Sequence, residues 1–260
     1  MTTQIHDQLF DVPTHSVEIS LGTFSLPFFI YEATNLTAIF RAQRDQAEAL
    51  LQGTGLEPAF VMGPWALVAL TFFQYRASSA GEYNEVGLML PAVRQGQGRL
   101  LRSLVDLAHH LEDREMGMYV VDLPVTTELA CASGRELWGY PKFRTQIPFH
   151  LQGRQFRSQV FQPDSGQVIL TMAGKMTPGA PIPTPDFVTY SLRERQLVRT
   201  PVRLRAPVRF SVPTSMRLLA GSSSHPMAGR LRQLGLHGAK PLCVLTSDHC
   251  QARLGVGEVL

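Results

Sequence analysis

Apolar and polar residues alternate along much of this chain, and a period of two residues is typical of strands that bury one face. Many apolar positions in these segments carry β-branched or aromatic side chains, which strands favour. Together with the glycine, proline and Asp-Ser-Gly turns between the segments, the alternation predicts a β-rich fold. The predicted strand segments are 17–31, 60–75, 85–91, 118–125, 143–149, 155–161, 168–176, 187–212 and 242–246.

Four other segments repeat their apolar residues every three or four positions, as amphipathic helices do. The first predicted helix covers 36–51, with Asn35 as its N-cap and with Leu36, Ile39 and Phe40 on one apolar stripe. The remaining predicted helices are 100–111, 126–137 and 228–236. We interpret the helix at 100–111 as a packing or interface helix, outside the catalytic machinery.

The composition predicts one domain that spans residues 1–260. A chain of 260 residues with 44% hydrophobic residues can bury a large core. The longest apolar run, 60–73, contains Gly63 and Pro64 and is too short to cross a bilayer, so we expect no membrane partner. Three cysteines form an odd and sparse set, and residues 1–10 lack an apolar signal core. We therefore expect a cytoplasmic location.

The charge pattern gives little support for nucleic-acid binding, because the net charge is only +3 and the pI is near 8.9. The arginine-rich stretch 193–209 predicts an amphipathic strand with a solvated or inter-subunit face. We expect a homo-oligomer without a nucleic-acid partner. His109, Cys243, His249 and Cys250 lack the spacing of a zinc site, so no metal is expected. Phosphate-binding glycine loops and the Gly-x-Ser-x-Gly nucleophile motif are also missing.

Lysine is rare in this chain, and one lysine stands in an unusual setting. Only three of the 24 Lys and Arg residues are lysines, and Lys142 follows Trp138, Tyr140 and Pro141 and precedes Phe143. Pro141 fixes its own backbone and restricts its neighbour, which predicts a stiff turn that holds an amine among aromatic rings. Desolvation there disfavours the ammonium form, as an amine nucleophile requires. The string alone also fits a surface lysine whose stem lies along apolar side chains.

The residues around Lys142 extend this pattern into a longer motif. Gly-Arg-Glu-Leu at 134–137 and Gly-Tyr-Pro-Lys at 139–142 resemble the acetoacetate decarboxylase family, and Glu-Tyr-Asn-Glu-Val-Gly at 82–87 resembles its second signature. The resemblance implies that Lys142 forms a Schiff base with the substrate and that Glu85 lies in the active site. It also implies a closed or cone-like antiparallel β-barrel with a few peripheral helices. No cofactor is expected, because the imine itself supplies the positive charge.

Several positions depart from the family pattern, and these define the expected substrate contacts. Phe143 replaces the second lysine that commonly follows the nucleophile, and Glu32 stands where an active-site arginine is expected. We expect Trp138, Tyr140 and Phe143 to line the substrate pocket together with Glu32. If 140–144 is extended, Arg144 shares a face with Lys142 and binds a substrate carboxylate, or else it is a surface arginine.

These residues lead to one favoured function and two alternatives. We expect a Schiff-base carbon–carbon lyase that acts on a small β-keto acid, with Lys142 as nucleophile and Glu85 as proton donor or orienting group. The first alternative is an imine-forming aldolase or dehydratase that handles a pyruvate-like keto acid. The second is a non-catalytic small-molecule binding protein on the same scaffold.

Overall fold

The computed structural model describes residues 7–97 and 100–260 and is rich in β-strands, as the alternation predicts. The first nine strands in chain order are β1 His15–Ile19, β2 Gly22–Leu26, β3 Phe28–Gln43, β4 Leu56–Pro58, β5 Val61–Met62, β6 Trp65–Ser78, β7 Tyr83–Arg94, β8 Gly117–Asp122 and β9 Phe149–Gln152. The next nine are β10 Gln155–Phe161, β11 Val168–Lys175, β12 Ala180–Ile182, β13 Phe187–Arg193, β14 Gln196–Arg205, β15 Val208–Ser211, β16 Arg217–Ala220, β17 Cys243–Leu254 and β18 Glu258–Val259. The helices are α1 Arg44–Leu51, α2 Leu100–Asp106, α3 Glu128–Trp138 and α4 Pro226–Gln233, with a 3-10 turn at Leu111–Asp113.

Seven strands of the largest sheet pair in a ring. The order is β17, β3, β6, β7, β8, β13 and β14, and β14 pairs again with β17. Six of the seven contacts in this described ring are antiparallel, whereas β8 and β13 run parallel, which corrects the expectation of a purely antiparallel arrangement. The closed or cone-like barrel remains a prediction beyond this ring of pairings.

Both faces of the central strands are buried, which explains why segments such as 65–78 are almost continuously apolar. On β6, Leu70 and Phe72 belong to one core cluster, which also contains residues of β9, β10, β11, β16 and α4. Tyr75, two strand positions beyond Phe73, belongs to a second cluster with the hairpin of β1 and β2 and with α3. The candidate site lies in this second cluster.

The helix predicted for 36–51 is wrong over most of its length. The strand β3 continues to Gln43, and only Arg44–Leu51 is helical. Burial of alternate apolar residues favours the strand over the helix, because Leu36, Ala38 and Phe40 are all fully buried at a spacing of two residues. Both edges of β3 are also occupied, by β6 and by β17, so a full set of interstrand hydrogen bonds stabilises the strand.

Three other boundaries differ from prediction. The helix α2 ends at Asp106, short of 111, and its exposed Leu101 and Val105 face outward, so its role between subunits stays a prediction. Residues 143–149 form one isolated bridge before β9 begins at Phe149, and Pro148 lacks the N–H that a strand ladder needs. The closing strand β17 extends to Leu254.

Residues 1–6 of the predicted polar N-terminus lie outside the described residues. No helix in the described ranges is long and apolar enough to span a membrane.

Candidate active site

Strand β7 presents Glu85 on the face that carries the second core cluster. Tyr83 and Glu85 are two positions apart and therefore point to the same face of the strand. On the neighbouring strand β6, Tyr75 lies directly opposite Tyr83, and Phe73 lies opposite Glu85. Directly opposite residues of an antiparallel pair share a face, so two tyrosines and a phenylalanine surround the carboxylate.

A short turn after α3 presents Lys142. The helix ends at Gly139, whose φ of 67° lies in the left-handed region and where a side chain would meet Leu192 O at 2.5 Å. The N–H of Lys142 then donates to the carbonyl of Tyr140 at 2.7 Å, which closes a three-residue turn around Pro141. A turn was predicted here from Pro141, and it excludes the alternative in which 140–144 is extended throughout.

A third segment, 123–125, lies between the lysine turn and the glutamate strand. Val125 forms an antiparallel bridge with Glu85 and a parallel bridge with Arg144. Leu123 N–H donates to the carbonyl of Pro141 at 3.2 Å, and Val125 N–H donates to that of Phe143 at 2.9 Å. Backbone pairing therefore fixes the position of the turn next to strand β7.

The two predicted catalytic residues meet as a buried ion pair. Lys142 Nζ lies 2.7 Å from Glu85 Oε2 across a sequence separation of 57 residues, and each side chain is 7% exposed. The hydroxyl of Tyr75 donates to the other carboxylate oxygen, Oε1, at 3.0 Å. Nζ also lies 5.7 Å from the ring centroid of Tyr83, within the range of a cation–π contact. Each carboxylate oxygen therefore has its own hydrogen-bond donor.

The tyrosines of this cluster are held in their neutral form. Burial raises the pKa of Tyr75 and of Tyr83 well above the usual value, and the negative charge of Glu85 raises both further. Burial likewise raises the pKa of Tyr140 to about 12, against the opposing effect of its hydroxyl contact with Thr189 at 2.6 Å. These phenols consequently remain hydrogen-bond donors at physiological pH.

Replacing Tyr140 by phenylalanine is expected to make the free energy of unfolding less dependent on pH at high pH. A tyrosine whose folded-state pKa is about 12 stabilises the fold fully below pH 10, its unfolded pKa, and this contribution declines as the pH rises to 12. Between pH 10 and 12 the free energy of unfolding should therefore fall less steeply in Tyr140→Phe than in wild type. The difference between the two slopes should be about 1.4 kcal/mol per pH unit. Urea denaturation between pH 9 and 12 measures the slope, with exposed Tyr31→Phe as control. Equal slopes in both variants would contradict the prediction.

Gly134 of α3 leaves the space through which the lysine stem passes. A Cβ at this position would lie 2.4 Å from Lys142 Cε and 2.5 Å from its Cδ, closer than carbon atoms approach. The carbonyl of Gly134 also binds the lysine turn, because it accepts a hydrogen bond from the N–H of Tyr140 at 3.1 Å. Gly134 is therefore a positioning residue for Lys142.

Substituting Gly134 by alanine is expected to move the amine away from Glu85. Alanine favours helix by about 1 kcal/mol over glycine, so the helix itself should not be weakened. We expect turnover to fall by about a hundredfold, as misplacement of a reacting group by about 1 Å does. Gly229→Ala in α4, where a Cβ meets nothing within 4 Å, is the matched control. Unchanged turnover in Gly134→Ala would show that Lys142 tolerates displacement.

Trp138 and Tyr140 lie in the same core cluster as Tyr75 and Tyr83, the two tyrosines that contact the ion pair. Trp138 is 2% exposed, its indole N–H donates to the carbonyl of Gly255 at 3.0 Å, and its ring stacks on Tyr140 at 5.9 Å. Tyr140 in turn is anchored on Thr189 of β13. These two anchored rings stabilise the turn that carries Lys142. Their direct contact with substrate stays a prediction.

The structure places the three other predicted contacts away from the ion pair. The Phe143 ring packs against His225 at 4.4 Å between ring centroids. Arg144 is exposed and lies 3.4 Å from Glu128, so it does not supply a charge beside Lys142. Glu32 is 48% exposed and pairs with Arg76 at 3.1 Å. Substrate binding by these three residues remains untested.

Sequence reasoning missed Tyr75, Tyr83 and Gly134. A period-two signal was present, because Tyr83 stands two positions before Glu85 and Phe73 two positions before Tyr75. The contact between the two strands depends on their register, however, which the local pattern does not specify. Among the described residues, no three His, Cys, Asp or Glu side chains converge as a metal site.

Comparison with known proteins identifies a family and a shared fold. A family model described as acetoacetate decarboxylase matches residues 12–231. A structure of acetoacetate decarboxylase superposes with a TM-score of 0.65 at 17% identity and covers 90% of this chain and 89% of that chain. The enzyme from Legionella pneumophila subsp. pneumophila str. Philadelphia 1 gives 0.64 at 15% identity, covering 90% and 87%.

A third similar structure carries a bound product. The enduracididine biosynthesis enzyme MppR, complexed with the condensation product of pyruvate and imidazole 4-carboxaldehyde, superposes with a TM-score of 0.63 at 13% identity and covers 90% of this chain and 88% of that chain. At these identities the likeness to the three structures is one of fold. No curated protein matches the chain in sequence.

Proposed function

Because this chain belongs to the acetoacetate decarboxylase family, we propose that it is a Schiff-base-forming carbon–carbon lyase acting on a small β-keto acid. The observation that carries the proposal is the buried pair of Lys142 Nζ and Glu85 Oε2 at 2.7 Å. A lysine that is 7% exposed and in contact with a single carboxylate has both a nucleophilic atom and a proton acceptor at hand.

The first steps form the imine. Glu85 Oε2 accepts a proton from the Lys142 ammonium group, and the free amine adds to the ketone carbon of the substrate. Glu85 returns the proton to the substrate oxygen, which becomes a hydroxyl, and then carries a second proton from the nitrogen to that hydroxyl, which leaves as water. The nitrogen keeps its third proton, so that a protonated imine forms. The carboxylate of Glu85 then balances the positive charge of the imine. The Tyr75 hydroxyl, 3.0 Å from Oε1, holds the carboxylate in place during these transfers.

The imine is the electron sink for the cleavage. The bond to the substrate carboxylate breaks, carbon dioxide leaves, and the electron pair moves through the new carbon–carbon double bond to the nitrogen. The resulting enamine takes a proton from water on its carbon, either directly or through Glu85, and water then hydrolyses the imine to release the ketone and the amine. The Tyr83 ring lies 5.7 Å from the nitrogen and favours each cationic stage.

A second candidate uses the same imine for aldol or dehydration chemistry on a pyruvate-like keto acid. Two observations favour it. Phe143 stands in place of the second lysine and Glu32 in place of the arginine, which are groups that would help to define a β-keto acid substrate. In addition, the structure of MppR was obtained with a condensation product of pyruvate. In this reaction Glu85 removes a proton from the carbon next to the imine, and the enamine adds to an aldehyde.

Product analysis distinguishes the candidates. The protein is incubated with acetoacetate and longer β-keto acids, and separately with pyruvate and an aldehyde in deuterium oxide. Release of carbon dioxide supports the lyase. Deuterium at the methyl carbon of pyruvate, without carbon dioxide, supports the aldolase or dehydratase. If neither occurs and Lys142→Ala leaves ligand binding unchanged, the chain is a non-catalytic binding protein and the proposed function is wrong.

A further inference from the structure

A row of polar side chains extends from the ion pair across the sheet. Ser247 on β17 lies directly opposite Asn35 on β3, Asn35 lies opposite Phe73 on β6, and Phe73 lies opposite Glu85 on β7. Directly opposite residues share a face, so all four side chains stand on the face that carries the candidate site. One step along the strands, Thr37 lies opposite Thr71 on the same face.

The row lies within reach of a chain-extended keto acid bound at Lys142. Neighbouring strands are about 4.8 Å apart, so Asn35, two strands away, lies about 10 Å from Glu85 between Cα atoms, and Ser247, three strands away, lies at most about 14 Å from it. Thr71 is one strand away and two residues along, at about 8 Å. The Phe73 ring between them stacks on Tyr75, with ring centroids 5.2 Å apart, and so leans away from Thr71.

Three of these side chains satisfy one another in a cycle. Asn35 Nδ2 donates to Thr71 Oγ1 at 2.9 Å, and Thr37 Oγ1 donates to Asn35 Oδ1 at 3.2 Å. The two threonine hydroxyls lie 2.8 Å apart, and Thr71 is then the donor, since the proton of Thr37 is already used. The second Nδ2 proton points to the carbonyl of Phe72 at 3.3 Å. The cycle therefore has lone pairs left and no free donor.

Ser247 supplies the donor that the cycle lacks. Its side chain is 3% exposed, and its Oγ has no hydrogen-bond partner within the described part of the chain. Buried hydroxyls are almost always paired, and an unpaired one calls for an explanation such as a ligand. Asn35, which lies directly opposite Ser247, and Thr37 are only half-buried, so small molecules can reach this side of the sheet.

We propose that Ser247, Asn35, Thr37 and Thr71 form a specificity subsite for the end of the substrate remote from the imine. The subsite offers one donor and several acceptors, with no cation among its members. A hydroxyl or a primary amide fits it, because such a group accepts from Ser247 and donates to the cycle. A second carboxylate or a phosphate does not fit, since it brings only acceptors. The subsite presupposes the imine at Lys142 and so rests on the proposed function.

Borohydride capture of the imine tests the subsite. Matched keto acids, in both the 2-oxo and the 3-oxo series and in three chain lengths, end either in a hydroxyl or in a methyl group; 5-hydroxy-2-oxopentanoate and 2-oxohexanoate are one pair. At the length that reaches Ser247, wild type should capture the hydroxyl member about tenfold faster, the effect of one hydrogen bond. Ser247→Ala should reduce this preference to about one.

Two controls make the outcome decisive. Ser158→Ala removes a buried serine hydroxyl in the other core, where it donates to the carbonyl of Pro148 at 2.8 Å, and it should keep the wild-type preference. Thr71→Val, which breaks the cycle that Ser247 completes, should weaken the preference by slowing capture of the hydroxyl series. Equal capture of both series by wild type, or a preference that survives in Ser247→Ala, would overturn the subsite alone. Absence of any adduct would overturn the proposed function as well.

Discussion

Replacing Lys142 by methionine is expected to abolish turnover. Methionine keeps an unbranched apolar side chain over Gly134 but carries no amine, so no imine can form. The substitution also leaves the buried Glu85 without its cation, with Tyr75 as its remaining donor. Removal of one partner of a buried ion pair costs about 3–5 kcal/mol. We therefore expect Lys142→Met to lose both activity and stability.

A second substitution should restore the stability but not the activity. In Lys142→Met/Glu85→Gln no charge remains at the site, and glutamine can still accept from Tyr75. Urea denaturation of wild type, both single variants and the double variant gives the coupling between the two side chains. We expect the double variant to recover most of the loss. Additive losses, each below about 1 kcal/mol, would show that the pair is not coupled in solution.

Replacing Glu85 by glutamine is expected to lower kcat by about 10²–10⁴, the usual contribution of general acid–base catalysis. Glutamine preserves the shape of the side chain but neither accepts the proton of the Lys142 ammonium group nor returns it to substrate. The protonated imine then also lacks a counter-charge, so imine formation should slow together with the later proton transfers. Rate measurements over a range of substrate concentrations separate kcat from KM.

Glu128→Gln is the matched control for this loss. Glu128 is 69% exposed and pairs with Arg144 at 3.4 Å, so its neutralisation should change kcat by less than about threefold. A Glu85→Gln enzyme that retains at least a third of wild-type kcat would exclude Glu85 as the proton carrier. It would leave water as the acid and base.

The carboxylate and the amine are both solvated by the protein. Burial of two charges is costly unless hydrogen bonds satisfy the remaining oxygen atoms and protons. Tyr75 does this for Glu85 Oε1, while the ring of Tyr83 faces the ammonium group. The same arrangement suits a protonated imine, which keeps the positive charge at this nitrogen. Under the proposed function, the site is thus arranged for the charge of the imine before substrate arrives.

The sequence was sufficient to predict the β-rich fold and to single out Lys142 and Glu85. Rarity of lysine, the proline turn and the two motifs carry that information locally. The distance between the two side chains could not be predicted, because it depends on the bridges that Val125 makes to both segments. Tyr75 was missed for the same reason, since its contact with Glu85 follows from the register of two strands.

The helix predicted for 36–51 failed because long-range pairing outweighed a local pattern. The segment after Asn35 carries apolar residues at both helical and strand spacing, and pairing on both edges of β3 selects the strand. The stiff turn predicted around Pro141 is present, since Lys142 N–H donates to the carbonyl of Tyr140. The alternative of an extended 140–144, on which a shared face for Arg144 and Lys142 depended, is not realised, and Arg144 lies with Glu128 in solvent.

Mass mapping of the borohydride-trapped protein tests the central claim most directly. The protein is incubated with acetoacetate or pyruvate, treated with borohydride, digested and analysed by mass spectrometry, with Lys142→Met as control. We predict one modified peptide in wild type, the peptide that contains Lys142. We predict no modified peptide in Lys142→Met, although Lys175 and Lys240 remain in that variant. Modification at Lys175 or Lys240, or equal labelling of wild type and variant, would contradict it.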